Sequence, residues 1–127
     1  MKIEDYDSEC DVADPADIDA ALNKRHGDGL NSFWLSHGAE EFPAINILVK
    51  RDIAYVHYFP TEGEPGFASA AEVPGPRPNE TSIFFEYPTE KMWILNSALI
   101  PFSDALKAAQ EFAVSKTMPK CIQWSEL

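Results

Sequence analysis

The chain has 127 residues, a formal net charge of −11 and a pI near 4.5, which argues against direct binding to nucleic acid or to an anionic membrane surface, since both need clustered Lys and Arg. Its 45% hydrophobic content, with eight Phe, four Tyr and three Trp, excludes a disordered chain. It is enough for one domain, and a domain of this length buries roughly two thirds of its unfolded surface.

Residues 1–19 carry −7 of the −11, with eight Asp and Glu against Lys2 alone. Residues 1–12 are therefore expected as an acidic, loosely ordered N-terminal arm touching the rest through Ile3 and Tyr6, ahead of one domain over 13–127. Asp14-Pro15 predicts a helix start, with Asp as N-cap and Pro at the first helical position. Ile18, Ala21, Leu22 and Arg25 continue it as a thin apolar stripe that His26-Gly-Asp-Gly29 breaks.

Ser32–Ser36 reads as a short strand. Ala44–Lys50 and Ile53–Phe59 then form a hairpin closed at Lys50-Arg51-Asp52. In Ile53–Phe59 both parities are apolar or aromatic, the pattern of a central strand. Pro60–Gly66 is an acidic turn-rich loop carrying Glu62 and Glu64. A weak strand around Phe67 leads into a Pro-rich exposed segment, because five of the ten prolines lie between Pro60 and Pro78.

Thr81–Tyr87 predicts a strand, and Met92–Ile100 another with a break near Asn96. Phe102 to about Lys116 predicts the best helix, with Phe102, Ala105, Leu106, Ala109, Phe112 and Ala113 on one face. Cys121–Ser125 adds a last strand. The fold class is α+β: a single mostly antiparallel sheet of five to seven strands with two helices packed on one face. Two helices cover one face only, so the Pro-rich loop or a partner is expected over the other.

The chemistry-bearing residues are sparse in pattern. His26, His37 and His57 have no ligand spacing with one another or with cysteine, so no metal and no cofactor is expected, and His57 reads as a hydrogen-bonded sheet histidine. Cys10 and Cys121 lie far apart, outside any C-x-x-C, and read as free, inert thiols in a reducing compartment. No serine stands in a nucleophile context and no phosphate-binding glycine pattern occurs. Glu62, Glu64, Glu86 and Glu90 are weighed as an acid–base pair for a carboxylate-based hydrolase, but with 21 acidic residues such pairs arise by chance. The N-terminus has no apolar run for a signal peptide and no stretch is long enough to span a bilayer, so a cytoplasmic location is expected.

From Ile45 to Trp124 the succession I-N-I-L-V, A-Y-V-H-Y-F, E-G-E-P-G-F-A-S, I-F-F-E-Y, L-I-P-F-S-D-A-L-K-A-A-Q-E-F and M-P-K-C-I-Q-W resembles the first-numbered immunity-protein family of bacterial polymorphic toxin systems. That pattern implies a glycine turn near Tyr87–Lys91, where this chain has Pro88-Thr89-Glu90. The resemblance implies a non-enzymatic inhibitor that binds a cognate secreted toxin acting on nucleic acid, such as a deaminase. A toxin of that kind needs a basic surface, which an acidic inhibitor is steered towards and occludes. The expected partner-binding residues are Glu62, Glu64, Phe67 as an apolar anchor, Glu80, Glu86, and Trp93 as a hot-spot aromatic, on a monomer or weak homodimer. A small-ligand or peptide-binding module using the uncovered sheet face is the alternative.

Overall fold

A computed structural model describes residues 1–127. In chain order the elements are β1 (Lys2–Glu4), β2 (Glu9–Asp11), α1 (Pro15–Leu22), β3 (Leu30–His37), β4 (Glu40–Lys50), β5 (Ile53–Phe59), β6 (Phe67–Ala70), β7 (Thr81–Tyr87), β8 (Glu90–Leu95), β9 (Ile100–Pro101), α2 (Phe102–Ser115) and β10 (Gln123–Glu126). The capping signal at Asp14 works as expected: its side chain accepts the Ala16 N–H at 2.9 Å, with Pro15 in the first turn. Helix α2 ends where Lys116 takes a left-handed conformation and donates its N–H to the Phe112 carbonyl.

Strands β10, β6, β5, β4, β3, β1 and β2 lie side by side in that order, all antiparallel, and β9 pairs with β5 to make an eight-stranded sheet. Ile53–Phe59 is indeed internal, with β4 on one side and β6 on the other. One parity of the central strands, Phe33, Leu35, Ile45, Ile47, Val49 and Val56, is buried under Ile18 and Leu22 of α1 and Ala105, Ala109 and Phe112 of α2. The α+β architecture, with both helices on one face of a mostly antiparallel sheet, follows from that stripe meeting two amphipathic helices.

Two regions are arranged differently from the sequence reading. Residues 1–12 form the β1–β2 hairpin on the edge of the sheet, with Ile3 opposite Leu35 and Cys10. Burial of Ile3 and Val12 in the main core outweighs the local charge. Strands β7 and β8 leave the main sheet and form a two-stranded layer of their own. That hairpin, not the Pro-rich segment, lies over the second face. Phe84 and Ile94 point inward onto Leu48, making a second core of three buried side chains flanked by Tyr55, Ala98 and Leu99. Each contributes roughly 1.5–3 kcal/mol on burial, enough to seat a hairpin that would be marginal alone.

Candidate partner-binding surface

Because side chains alternate across a strand, fixing Phe84 and Ile94 inward turns Ile83, Phe85, Lys91, Trp93 and Leu95 outward. Register places Ile83 opposite Trp93, Thr81 opposite Leu95 and Phe85 opposite Lys91. Trp93 is 62% exposed and Leu95 52%; with Ile83 they form a contiguous apolar patch, unlike the scattered single apolar residues of an ordinary surface. Acidic groups rim it. Glu86 and Glu90 stand at the hairpin tip, where burial, with the charge of Glu90 behind it, holds the Glu86 carboxyl above the ordinary carboxylate range. Glu80 lies at the opposite end, exposed, its carboxylate 3.8 Å from Arg77. Six residues of strand rise put roughly 20 Å between Glu80 and Glu86.

Glu62 and Glu64 are exposed in the β5–β6 loop, whose position is fixed from beneath. His57 Nε2 lies 2.7 Å from the Pro65 carbonyl and its Nδ1 3.3 Å from the Tyr55 hydroxyl. A carbonyl only accepts, so Nε2 carries the proton and Nδ1 accepts from tyrosine. Burial lowers the His57 pKa, with the Pro65 carbonyl pulling the other way. The ring stacks on Phe59 at 3.8 Å, and Phe59 on Trp34 at 5.4 Å, giving a half-buried aromatic strip on the face beside the hairpin. This is the hydrogen-bonded sheet histidine the alternation suggests, and its bond to Pro65 holds the acidic loop in place.

Phe67 is placed otherwise than an exposed anchor would be. It pairs with Tyr58 on the helix-facing side, ring centroids 6.5 Å apart, and Tyr58 also meets Phe112 and Trp124. Parity decides this: Phe67 sits opposite Tyr58, which is only 6% exposed. The structure thus brings Trp93 and Glu86 onto one hairpin and leaves Glu62 and Glu64 on a separate loop. Ile83 and Leu95 are additions that the sequence reading does not single out. Their signal is the apolar character of both parities in the two runs, which needs the fold-over to be read.

A second cluster joins Asp5, Asp7 and His26, whose ligand atoms lie within 4.8 Å of one another. Lys24 Nζ stands 2.8 Å from Asp7 and 3.3 Å from Asp5, in the place a cation would take. Burial of Asp5 would raise its pKa. Hydrogen bonds from the Ser8 hydroxyl, the Asp7 and Ser8 N–H groups and Asn31 override that and hold it well below the ordinary range. Beside it the Tyr6 hydroxyl donates to the Phe85 carbonyl at 2.6 Å, tying the N-terminal hairpin to β7.

No helix is long and apolar enough to cross a membrane. A protein of Burkholderia cenocepacia (strain H111) described as a double-stranded DNA deaminase immunity protein is 27% identical over 128 residues, covering 100% of both chains. The family described as Immunity protein Imm1 matches residues 7–126, well beyond the 45–124 over which the segment order was legible. With nearly its whole length matched, β2 and the outlying hairpin included, the chain belongs to the Imm1 immunity-protein family.

Proposed function

We propose that the protein is a non-enzymatic inhibitor that binds the toxin encoded beside it in the cytoplasm of the producing cell and occludes its nucleic-acid site, the toxin being a DNA-directed deaminase. The observation that carries this is an exposed apolar ribbon centred on Trp93 and rimmed by carboxylates, on a chain of net charge −11. An apolar centre with a charged rim is the anatomy of a protein–protein interface. The rim charge suits a toxin whose phosphate-binding surface is basic. The B. cenocepacia relative supports the substrate class, since the protein it is described as countering acts on double-stranded DNA.

Within this reading Trp93 is the hot-spot aromatic, Glu86 and Glu80 flank it, and Glu62 and Glu64 steer the encounter. Phe67, packed edge-on against Tyr58, lies apart from these contacts. A hydrolase gains no support from the carboxylates. Glu62 and Glu64 lie in one loop, Glu86 and Glu90 at the hairpin tip, and none of the four lines the cavities of about 270–480 Å³ on the surface.

The test is co-expression with the adjacent toxin domain, scored by survival and co-purification. Survival with a one-to-one complex is expected; cell death with no complex sinks the reading. Reversing both charges, Glu62→Lys with Glu64→Lys, should slow association several-fold at low salt. Unchanged rates would remove the loop from the encounter.

A further inference from the structure

Hairpin β7–β8 has two free edges, and they are not alike. The Asn96 N–H donates to the Glu80 carbonyl at 2.8 Å. Given the register, this makes Ser82–Ile94 and Phe84–Met92 the mutually bonded pairs. The backbone groups of Ile83 and Phe85 therefore point out of one edge, and those of Lys91, Trp93 and Leu95 out of the other. On the β7 edge the carbonyls are taken: Lys50 Nζ reaches Ile83 O at 3.3 Å and the Tyr6 hydroxyl reaches Phe85 O at 2.6 Å. On the β8 edge Lys91, Trp93 and Leu95 have no neighbouring strand and no side-chain partner.

Beside that open edge runs a groove of about 440 Å³, floored by Tyr55 and Ala68 of the main sheet and walled by Trp93 and Leu95 on one side and Leu127 on the other. The Leu127 N–H donates to the Gly66 carbonyl at 2.9 Å, which sets the Glu62–Glu64 loop close to the groove, while Glu90 stands at the opposite, hairpin-tip end of β8. An unprotected, apolar edge on a two-stranded layer is a template for another strand.

We infer that an extended segment of the toxin adds to β8 as a third strand, bonding the outward backbone groups of Lys91, Trp93 and Leu95 and laying alternate apolar side chains into the groove. This rests on the toxin-binding reading above and specifies its mode. The segment is apolar at every second position, because its inward face meets Tyr55, Ala68 and Ile94. It carries Lys or Arg at its ends, where Glu62, Glu64 and Glu90 await it. Strand addition gives affinity through main-chain hydrogen bonds and specificity through the side-chain pockets. A third strand also supplies what a two-stranded layer lacks for rigidity.

The experiment uses the full chain and the purified toxin domain encoded beside it, inactivated by substitution in its own catalytic centre. Amide hydrogen exchange is read residue by residue in the free chain and in the complex. The Met92 and Ile94 amides are expected to be protected in both states, and the Lys91, Trp93 and Leu95 amides only in the complex, with exchange slowed by at least about 100-fold. Leu95 has φ −59°, which proline adopts without strain, and its N–H takes no part in the β7 ladder. Leu95→Pro should therefore fold and bind at least about tenfold more weakly than Leu95→Ala, the extra loss being that of a backbone hydrogen bond. A tight complex in which the Lys91 and Trp93 amides exchange as in the free chain, or in which Leu95→Pro binds like Leu95→Ala, overturns strand addition alone. Failure of the unmodified chain to bind at all overturns the toxin-binding reading and strand addition with it.

Discussion

Asp5 shows how much one side chain carries when the backbone closes round it. Its carboxylate collects bonds from Ser8, Asp7 and Asn31 and faces Lys24. Asp5→Asn is expected to cost about 1.5–3 kcal/mol at pH 7, the range for hydrogen bonds to a charged group. Because the folded-state pKa is depressed, the contribution is complete above the unfolded value of about 3.9 and drains away as pH falls towards the folded one. Chemical denaturation of both proteins across pH 7 to 3 should show the gap closing at the acid end, and a constant gap would remove the charge from the explanation. Gly66 is the backbone counterpart. It has φ +77°, and a Cβ there would run into the Tyr58 carbonyl. Gly66→Ala should lower stability by roughly 2 kcal/mol or more, read as a drop in Tm. At this scale the sequence made the carboxylates and Trp93 visible, but not their company. Nothing in the spacing of Asp5 and Lys24 announces that they meet, and Phe67 could be assigned a face only once its register with Tyr58 was known.

Among the elements, those governed by local rules were legible. The Asp14-Pro15 start, the α2 stripe and the alternation of Ile53–Phe59 depend on residues a few positions apart, and all three stand. What escaped was long-range. Thr81–Leu95 carries apolar residues at both parities, which fits a strand inside the main sheet equally well as a ribbon lying over it. The choice is made by Leu48, some 35 residues earlier, when it accepts Phe84 and Ile94. That small core gives the next prediction. Phe84→Ala should cost roughly 3 kcal/mol or more if the cavity stays open. The loss should fall on the hairpin: circular dichroism of the main sheet and helices is expected to persist while toxin affinity drops by at least about tenfold. Global unfolding instead would mean that the two layers are one cooperative unit.

For the molecule as a whole, net charge speaks to association and not to architecture. With −11 on 127 residues and the basic partner proposed above, the association rate constant should fall by about tenfold or more when ionic strength rises from about 0.01 M to 0.15 M, where the screening length shrinks to about 8 Å. Dissociation should change little, since the desolvated apolar contacts proposed around Trp93 would not be screened. Stopped-flow Trp fluorescence separates the two rates, and a salt-insensitive association would move recognition away from the acidic rim. The family was readable from segment order, whereas the exposed Trp93 patch was not, because it is made by folding one pair of strands over the others.

That folding-over has a bearing on how such a protein changes through time. The hairpin rests on three buried side chains of its own, Leu48, Phe84 and Ile94, separate from the fifteen that hold the helices to the sheet. Substitutions at its outward positions, Ile83, Phe85, Lys91, Trp93 and Leu95, leave both cores intact. The outward surface of this one short ribbon can therefore change while the scaffold beneath stays as it is.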